Sequence, residues 1–401
     1  MGDYFLRLTF ILIIAHVLVL ASFANFAVLL PEFVTLWSLT NTEAGWIGGI
    51  IMAGYVVAVP ILVSMTDVID AKKVFIVGIL LGVVGSFGFA FYADGFWSAL
   101  FFRFLSGISV AGTYMPGLQI INDRVDVDHR ERVIPWYLGT VGVGTGLSFF
   151  ITGWLAEYMI WNDIFVVAGL LQAISLFIIL TLVPNVKIEA SRRRFFDFRP
   201  VFKNQLALAY IVAYAGHTFE LFAFRAWVIA LLVFSVMASE STATRVQLGT
   251  IVAGFSFLGV ATSIIGAKIA YLRSRKVFFQ FVVLFSFAIG ASLGFLLDIN
   301  FPIFLMVVAL YSGLLMADSA ALTAGTVNAA PDGALGVTLA VHSVIGFSGG
   351  ILGPLVIGLV LDLSGGQGSQ TAWTMACLAM AGGPLVTLAV FKLMLRRHHQ
   401  P

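Results

Sequence analysis

The chain has 401 residues, of which 60% are hydrophobic and 10% charged, and its formal net charge is +2. A soluble protein covers its surface with about 25% charged residues, so most of this surface faces something other than water. The near-neutral balance gives no support for a nucleic-acid partner, and the single cysteine, Cys377, excludes an internal disulfide and a cysteine metal cluster.

Twelve apolar stretches follow one another along the chain: 8–30, 44–66, 74–93, 96–119, 134–156, 164–183, 206–234, 248–270, 277–297, 302–326, 337–361 and 372–394. Most match the roughly 20 residues that a helix needs to cross the hydrocarbon core. A barrel would instead show alternating segments of about 10 residues. The expected fold class is therefore an all-α integral membrane protein of 12 transmembrane helices. Residues 8–24 also fit the apolar core of a signal peptide, with Ser22 and Ala24 as the small residues before a cut. Cleavage there would remove the first span and break the symmetry described below.

The basic residues orient the spans. With the N-terminus in the cytoplasm, 19 of the 22 lysines and arginines fall on that side. Arg245 alone falls outside, and Arg103 and Arg225 lie within spans. This positive-inside pattern places both termini in the cytoplasm of what is expected to be a bacterial inner membrane. The longest hydrophilic stretch, 184–205, divides the chain into 1–183 and 206–401. It reads either as an inside-anchoring linker or as a basic run that binds anionic lipid.

The two parts resemble each other. Gly49-Ile50-Ile51-Met52-Ala53-Gly54-Tyr55 recurs as Gly249-Thr250-Ile251-Val252-Ala253-Gly254-Phe255, and Lys73-Val74-Phe75 as Lys276-Val277-Phe278. Ser106-Gly107 matches Ser312-Gly313, while Gly153 and Glu157 closing span 5 match Gly358 and Asp362 closing span 11. The order is kept, so the expectation is two pseudo-symmetric six-helix halves with a site at their interface.

These features lead to a family. The loop Asp67-Val68-Ile69-Asp70-Ala71-Lys72-Lys73-Val74, the run Arg103-Phe-Leu-Ser-Gly107 in span 4, the spaced glycines Gly142/Gly146 and Gly349/Gly353-Pro354/Gly358, and Pro31-Glu32 closing span 1 resemble the major facilitator superfamily. The loop departs from the family pattern, with Val68 where arginine is usual and Asp70 where glycine is usual. The resemblance implies a secondary carrier working by alternating access, with spans 1, 4, 7 and 10 lining the cavity. It also implies an inner gate of Asp67, Asp70, Lys72 and Lys73, in which Asp67 meets the N-terminal end of span 11 in the outward-open state. The glycine pairs are expected to pack helices.

Ionisable groups inside a bilayer are costly and mark candidate sites. Arg103 sits seven residues inside the outer end of span 4, about 10 Å deep. With Arg225 and Asn25 it forms the expected substrate-binding set, and Arg103 is read either as an anion ligand or as a static structural pair. Glu220 and His217, three apart on span 7, share a helical face. They form the expected proton site, with Asp318 on span 10 as a second. Arg225 stands about 140° round the helix from Glu220 and joins it only if span 7 is distorted. His16 and His342 have no partner visible in sequence and read as core histidines. No P-loop, His-Glu-x-x-His pair or nucleophile elbow is present, so neither an enzyme nor a cofactor is expected. The expected partners are a small organic solute, protons and membrane lipid, with the chain acting as a monomer. The two arginines favour an anionic solute. Efflux of apolar or cationic compounds, and a receptor-like protein that moves no solute, are the alternatives.

The orientation has a direct check in a Cys377→Ala background. A cysteine at Ser241 should react with an impermeant thiol reagent added to intact cells, and one at Ser191 should not. Labelling at Ser191 would reverse the topology.

Overall fold

The structure, a computed structural model, describes residues 2–186, 198–332 and 334–395. Most of the basic stretch of the 184–205 segment, with Lys187, Ser191, Arg192, Arg193 and Arg194, lies outside the described residues, as do Arg396 and Arg397. Among the described residues there are helices and turns and no strand. Twelve helices are long and apolar enough to cross a membrane: Phe5–Leu36, Asn41–Met65, Ala71–Tyr92, Phe96–Arg124, Arg132–Leu155, Trp161–Leu182, Gln205–Ala238, Arg245–Leu272, Val277–Phe295, Phe301–Asn328, Leu335–Leu363 and Gln370–Leu393. They are spans 1 to 12. The fold is all-α with 12 membrane-spanning helices, as the hydropathy pattern indicates.

Span 1 corrects one expectation. Pro31 and Glu32 do not close it, because a second helical piece runs Asn25–Leu36 with Pro31 inside it. A membrane helix tolerates the missing N–H when neighbouring groups resolve the freed carbonyl.

With twelve crossings, Gly2 and Leu395, the first and last described residues, lie on one face, the terminal face. The loops 37–40, 156–160, 239–244 and 364–369 lie on the opposite one, the far face. Several spans are discontinuous. Span 1 passes through a 3-10 turn at Leu20–Ser22, and span 10 breaks at Asp318 between Phe301–Ala317 and Ser319–Asn328. Span 11 carries a π turn at His342–Gly346, and span 12 unwinds at Gly382-Gly383-Pro384. Broken helices survive at membrane depth only where protein groups satisfy the freed backbone.

Without a hydrophobic drive between lipid-solvated helices, close backbone approach holds the bundle together. A Cβ on Gly107 of span 4 would overlap the Ile51 carbonyl of span 2. The spaced glycines serve the same purpose. Gly142 and Gly146 lie against Val260 and Ser256 of span 8, and Gly349 and Gly353 against Ala215 and Phe219 of span 7.

The first six spans meet the last six at the far face through two related contacts. Asp362, at the end of span 11, sits over the N-terminus of span 2. Its Oδ1 accepts from Asn41 N (2.9 Å) and Nδ2 (2.7 Å), and its Oδ2 from Thr42 N (2.8 Å) and Oγ1 (2.6 Å). Gln367 Nε2 donates to Asn41 Oδ1 at 2.6 Å. In the matching place, Glu157 at the end of span 5 accepts from Val246 N at the start of span 8, at 3.2 Å. A carboxylate there satisfies orphan helix N–H groups and complements the helix dipole. The glycine one turn earlier obeys the same symmetry: a Cβ on Gly358 would overlap the Asn41 carbonyl, and one on Gly153 would lie 2.9 Å from the Arg245 carbonyl. An exposed ion pair, Arg245 to Glu32 at 2.8 Å, adds little.

These contacts predict how the far face opens. Asp362 is exposed, so solvent screening reduces its four hydrogen bonds to about 1–2 kcal/mol in total. Asp362→Ala should therefore raise the reaction rate of a cysteine at Ala226, probed from the far face in a Cys377→Ala background, several-fold. An unchanged rate in the Asp362→Ala, Glu157→Ala double variant would show that the carboxylates do not hold this face shut.

Candidate functional site

The break in span 1 lies in Leu20-Ala-Ser-Phe-Ala24, which contains neither glycine nor proline. Side chains from three other spans stabilise it. Gln172 of span 6 donates through Nε2 to the Val19 carbonyl and to Ser22 Oγ, both at 3.0 Å, and its Oε1 accepts from Ser86 Oγ at 2.9 Å. Ser148 of span 5 donates to the Ala21 carbonyl (2.8 Å) and accepts from Ala24 N (3.0 Å). Arg103 of span 4 donates through Nη1 to the Ser22 carbonyl (3.0 Å) and through Nη2 to the Phe23 carbonyl (3.2 Å). Arg103 is buried, and its Nε has no hydrogen-bond partner among the described residues.

A cavity of about 20 Å3, room for one water, opens beside this break. Arg103 and Arg225 line it with Phe23, Phe26, Phe149 and Phe222, and the remaining wall is alanine, glycine and isoleucine. The Arg103 guanidinium lies 6.0 Å from the Phe26 ring centre and that of Arg225 lies 5.7 Å from the Phe222 ring centre. No carboxylate lines the cavity. Arg225 thus joins Arg103 rather than Glu220. Asn25 stands one layer out: its Oδ1 accepts from Thr152 Oγ1 at 2.8 Å, and its buried Nδ2 has no partner among the described residues.

The expected Glu220–His217 proton site divides in two. Both residues face span 10, as their spacing implies, but each has its own partner there. His217 Nδ1 lies 2.8 Å from Asp318 Oδ1, at ion-pair distance though too bent for a hydrogen bond. Glu220 Oε1 accepts from Tyr311 Oη at 2.8 Å and from Ser286 Oγ of span 9 at 3.0 Å. Neither arginine reaches Glu220 in this conformation.

The two other buried histidines have partners. His16 Nδ1 is 2.7 Å from Thr140 Oγ1, with Tyr114 and Tyr137 rings alongside. His342, on the π turn of span 11, lies 3.3 Å from Thr326 Oγ1 and 4.3 Å, ring centre to ring centre, from Tyr214. Tyr214 also packs against His217, with ring centres 5.3 Å apart. Sequence reasoning missed Gln172, Ser148, Ser286 and Tyr311, because a search for ionisable groups passes over neutral polar side chains. Their positions in the middle of apolar runs were the available signal.

Asp70, in the loop after span 2, accepts from Arg124 Nη2 (2.6 Å), Val186 N (2.9 Å) and Lys72 N (2.9 Å). Burial pushes its carboxyl upward, but the Arg124 hydrogen bond and the two amides outweigh it and hold the group below its usual range. The clamp therefore persists at neutral pH and is lost as the pH falls through that lowered value. Lys72 Nζ donates to the Val183 carbonyl at 2.6 Å. Asp70 and Lys72 thus bind the end of span 6. Lys73 is exposed, Asp67 is half-buried, and Leu335 at the start of span 11 is exposed.

The family model of the Major Facilitator Superfamily matches residues 12–228, more than half of the chain. The chain belongs to the Major Facilitator Superfamily. Solved transporters share the fold over nearly their whole length. A bacterial homologue of the human lysosomal transporter Spinster, in an inward-facing and occupied conformation, overlays with a TM-score of 0.74 at 15% identity, covering 98% of this chain and 97% of that one. A D-xylose–proton symporter does so with a TM-score of 0.74 at 12% identity, covering 97% and 98%. Among curated proteins, 124 residues are 28% identical to a Bacillus subtilis (strain 168) protein named as a niacin/nicotinamide transporter, NiaP, over 31% of this chain and 28% of that protein. A stretch of 145 residues is 23% identical to the Arabidopsis thaliana spinster homolog 1, named as a sphingolipid transporter, over 36% of this chain and 29% of that protein. The chain thus spans under a third of the length of these curated relatives.

Within this superfamily member, the Arg103-x-x-x-Gly107 run has a concrete role. Gly107 lets span 4 approach span 2, and Arg103, one turn earlier, reaches the broken backbone of span 1. Two hydrogen bonds from a charged donor contribute roughly 1.5–3 kcal/mol each. Arg103→Ala should insert yet melt lower by several degrees and lose transport. Arg103→Lys should recover part of the melting point but little transport, because an ammonium lacks the planar fork. Melting curves and uptake on the same purified variants check this; a parent-like melting point for Arg103→Ala would show that the carbonyls need no cap.

Proposed function

We propose that this protein is a secondary carrier of a small organic anion, working by alternating access and coupled to protons. The observation that carries the reading is the meeting of two guanidiniums, Arg103 and Arg225, at one cavity with no carboxylate to neutralise them. Arginine stays charged at any working pH, so an anion is the occupant that completes the site. The N-terminus of the helical piece Asn25–Leu36 lies at the same break and adds a positive dipole end. The far-face clasps support a conformation closed on that side.

The proposed halves are 1–183 and 206–401, joined by the 184–205 linker. The proposed setting is a bacterial inner membrane with both termini cytoplasmic, supported by the one-sided distribution of basic residues. In this reading Asp67, Asp70, Lys72 and Lys73 belong to the inner gate, with Asp70 and Lys72 anchored to span 6 in the present conformation.

The proposed proton site is the His217–Asp318 pair, with Glu220 as a second site. Asp318 lies at the break of span 10, so its surroundings change when the two pieces of that span shift. A proton taken up there offsets the charge of an anion in the cavity. The alternative, efflux of apolar or cationic compounds, draws on the phenylalanine lining and on Glu220 and Asp318. Against it stands the cavity itself, where two positive charges repel a cation.

Two measurements test the proposal. Labelled organic anions should accumulate in proteoliposomes, and Arg225→Ala should abolish that uptake; efflux of cationic dyes without anion uptake would establish the alternative. Asp318→Asn, which mimics the protonated acid, should still exchange substrate but fail to concentrate it under an imposed pH difference. Parent-like accumulation in Asp318→Asn and defective accumulation in Glu220→Gln would move coupling to Glu220.

A further inference from the structure

We infer that the transported anion is a monocarboxylate with a flat, apolar body, a deeper statement that rests on the anion reading above. A guanidinium has five N–H donors. Arg103, which lines the cavity, spends donors on the Ser22 and Phe23 carbonyls, and its buried Nε is left without a partner among the described residues. Arg225 makes no hydrogen bond or ion pair among the described residues, so its planar fork is free for two-pronged binding. One fork and one further N–H satisfy the two oxygens of a single carboxylate. A second carboxylate would face only phenylalanine, alanine, glycine and isoleucine.

The same wall sorts other solutes. It presents no hydroxyl, amide or carboxylate side chain. A sugar or nucleoside would bury hydroxyls without partners, and each such group costs about 1–3 kcal/mol. An amino-acid zwitterion would leave its ammonium opposite two arginines.

The rings define the shape of the remaining part. Phe23 of span 1 and Phe222 of span 7 meet across the two six-span sets, with ring centres 6.4 Å apart and ring planes inclined by 51°. A flat ring seated between two others needs about 7 Å, two contacts of about 3.5 Å. The pair therefore admits a planar body once one ring turns toward parallel and the two part by under an ångström or so, whereas a puckered ring demands a wider parting. The water-sized cavity is thus closed around the place a flat ligand takes, and occupancy pushes directly on the contact between the sets.

The test uses the purified full chain and a panel of benzoate, cyclohexanecarboxylate, succinate, uridine, xylose and benzylammonium, read by melting shift and by competition for transport. Benzoate should raise the melting point and bind at least about fivefold more tightly than cyclohexanecarboxylate, while succinate, uridine and xylose should have no effect. Arg225→Ala should abolish benzoate binding. Phe222→Leu, a milder change, should narrow the gap between benzoate and cyclohexanecarboxylate. Equal or tighter binding of succinate or cyclohexanecarboxylate would overturn the flat-monocarboxylate inference and leave the anion reading intact. Binding of benzylammonium with no anion bound would overturn both, and no response to benzoate would overturn the inference.

Discussion

The cap that Arg103 places on the broken backbone of span 1 is the contact on which the central architecture depends. A bilayer offers no water to a freed carbonyl. A turn at Leu20–Ser22 is therefore stable only because Arg103, Ser148 and Gln172 approach it from spans 4, 5 and 6. Those three side chains hold the first helices around one point. They also leave a positive group and a helix start pointing into the space between the two six-span sets. Arg103 thus holds backbone with two of its nitrogens and lines the cavity as well.

The internal repeat has a second life at the far face. The glycine and carboxylate closing spans 5 and 11 correspond in sequence, and each pair meets the first residues of a span from the opposite set. A duplicated helix end thus yields two related contacts across the interface, because two-fold pseudo-symmetry brings the end of span 5 to span 8 as it brings the end of span 11 to span 2. The repeat is less strict in the membrane interior. Asn25 and Arg225 correspond by position, yet one bonds span 5 and the other faces the cavity.

Much of this was legible in the sequence. The spans and their number follow from hydropathy, and the repeat from ordered glycines. Arg103, Glu220, Arg225 and Asp318 stand out because charge is rare in apolar runs. What stayed hidden was partnership. His217 and Glu220 are three residues apart, but their contacts are decided by Asp318 and Tyr311, which lie two turns apart on another helix. The break in span 1 carries no glycine or proline and is imposed by side chains 81 and 153 residues away. The break in span 12 was written plainly as Gly382-Gly383-Pro384, yet it lies inside a continuous apolar run, where hydropathy outweighs local breakers.

The two far-face clasps are unequal. Asp362 collects four hydrogen bonds at span 2, with Gln367 alongside, whereas Glu157 collects a single longer one at span 8. Two seams with different numbers of hydrogen bonds do not part at equal cost. By hydrogen bonds alone, the edge along spans 5 and 8 is held less firmly than the edge along spans 2 and 11. Phe149 of span 5 forms the wall of the cavity on the side of that weaker edge.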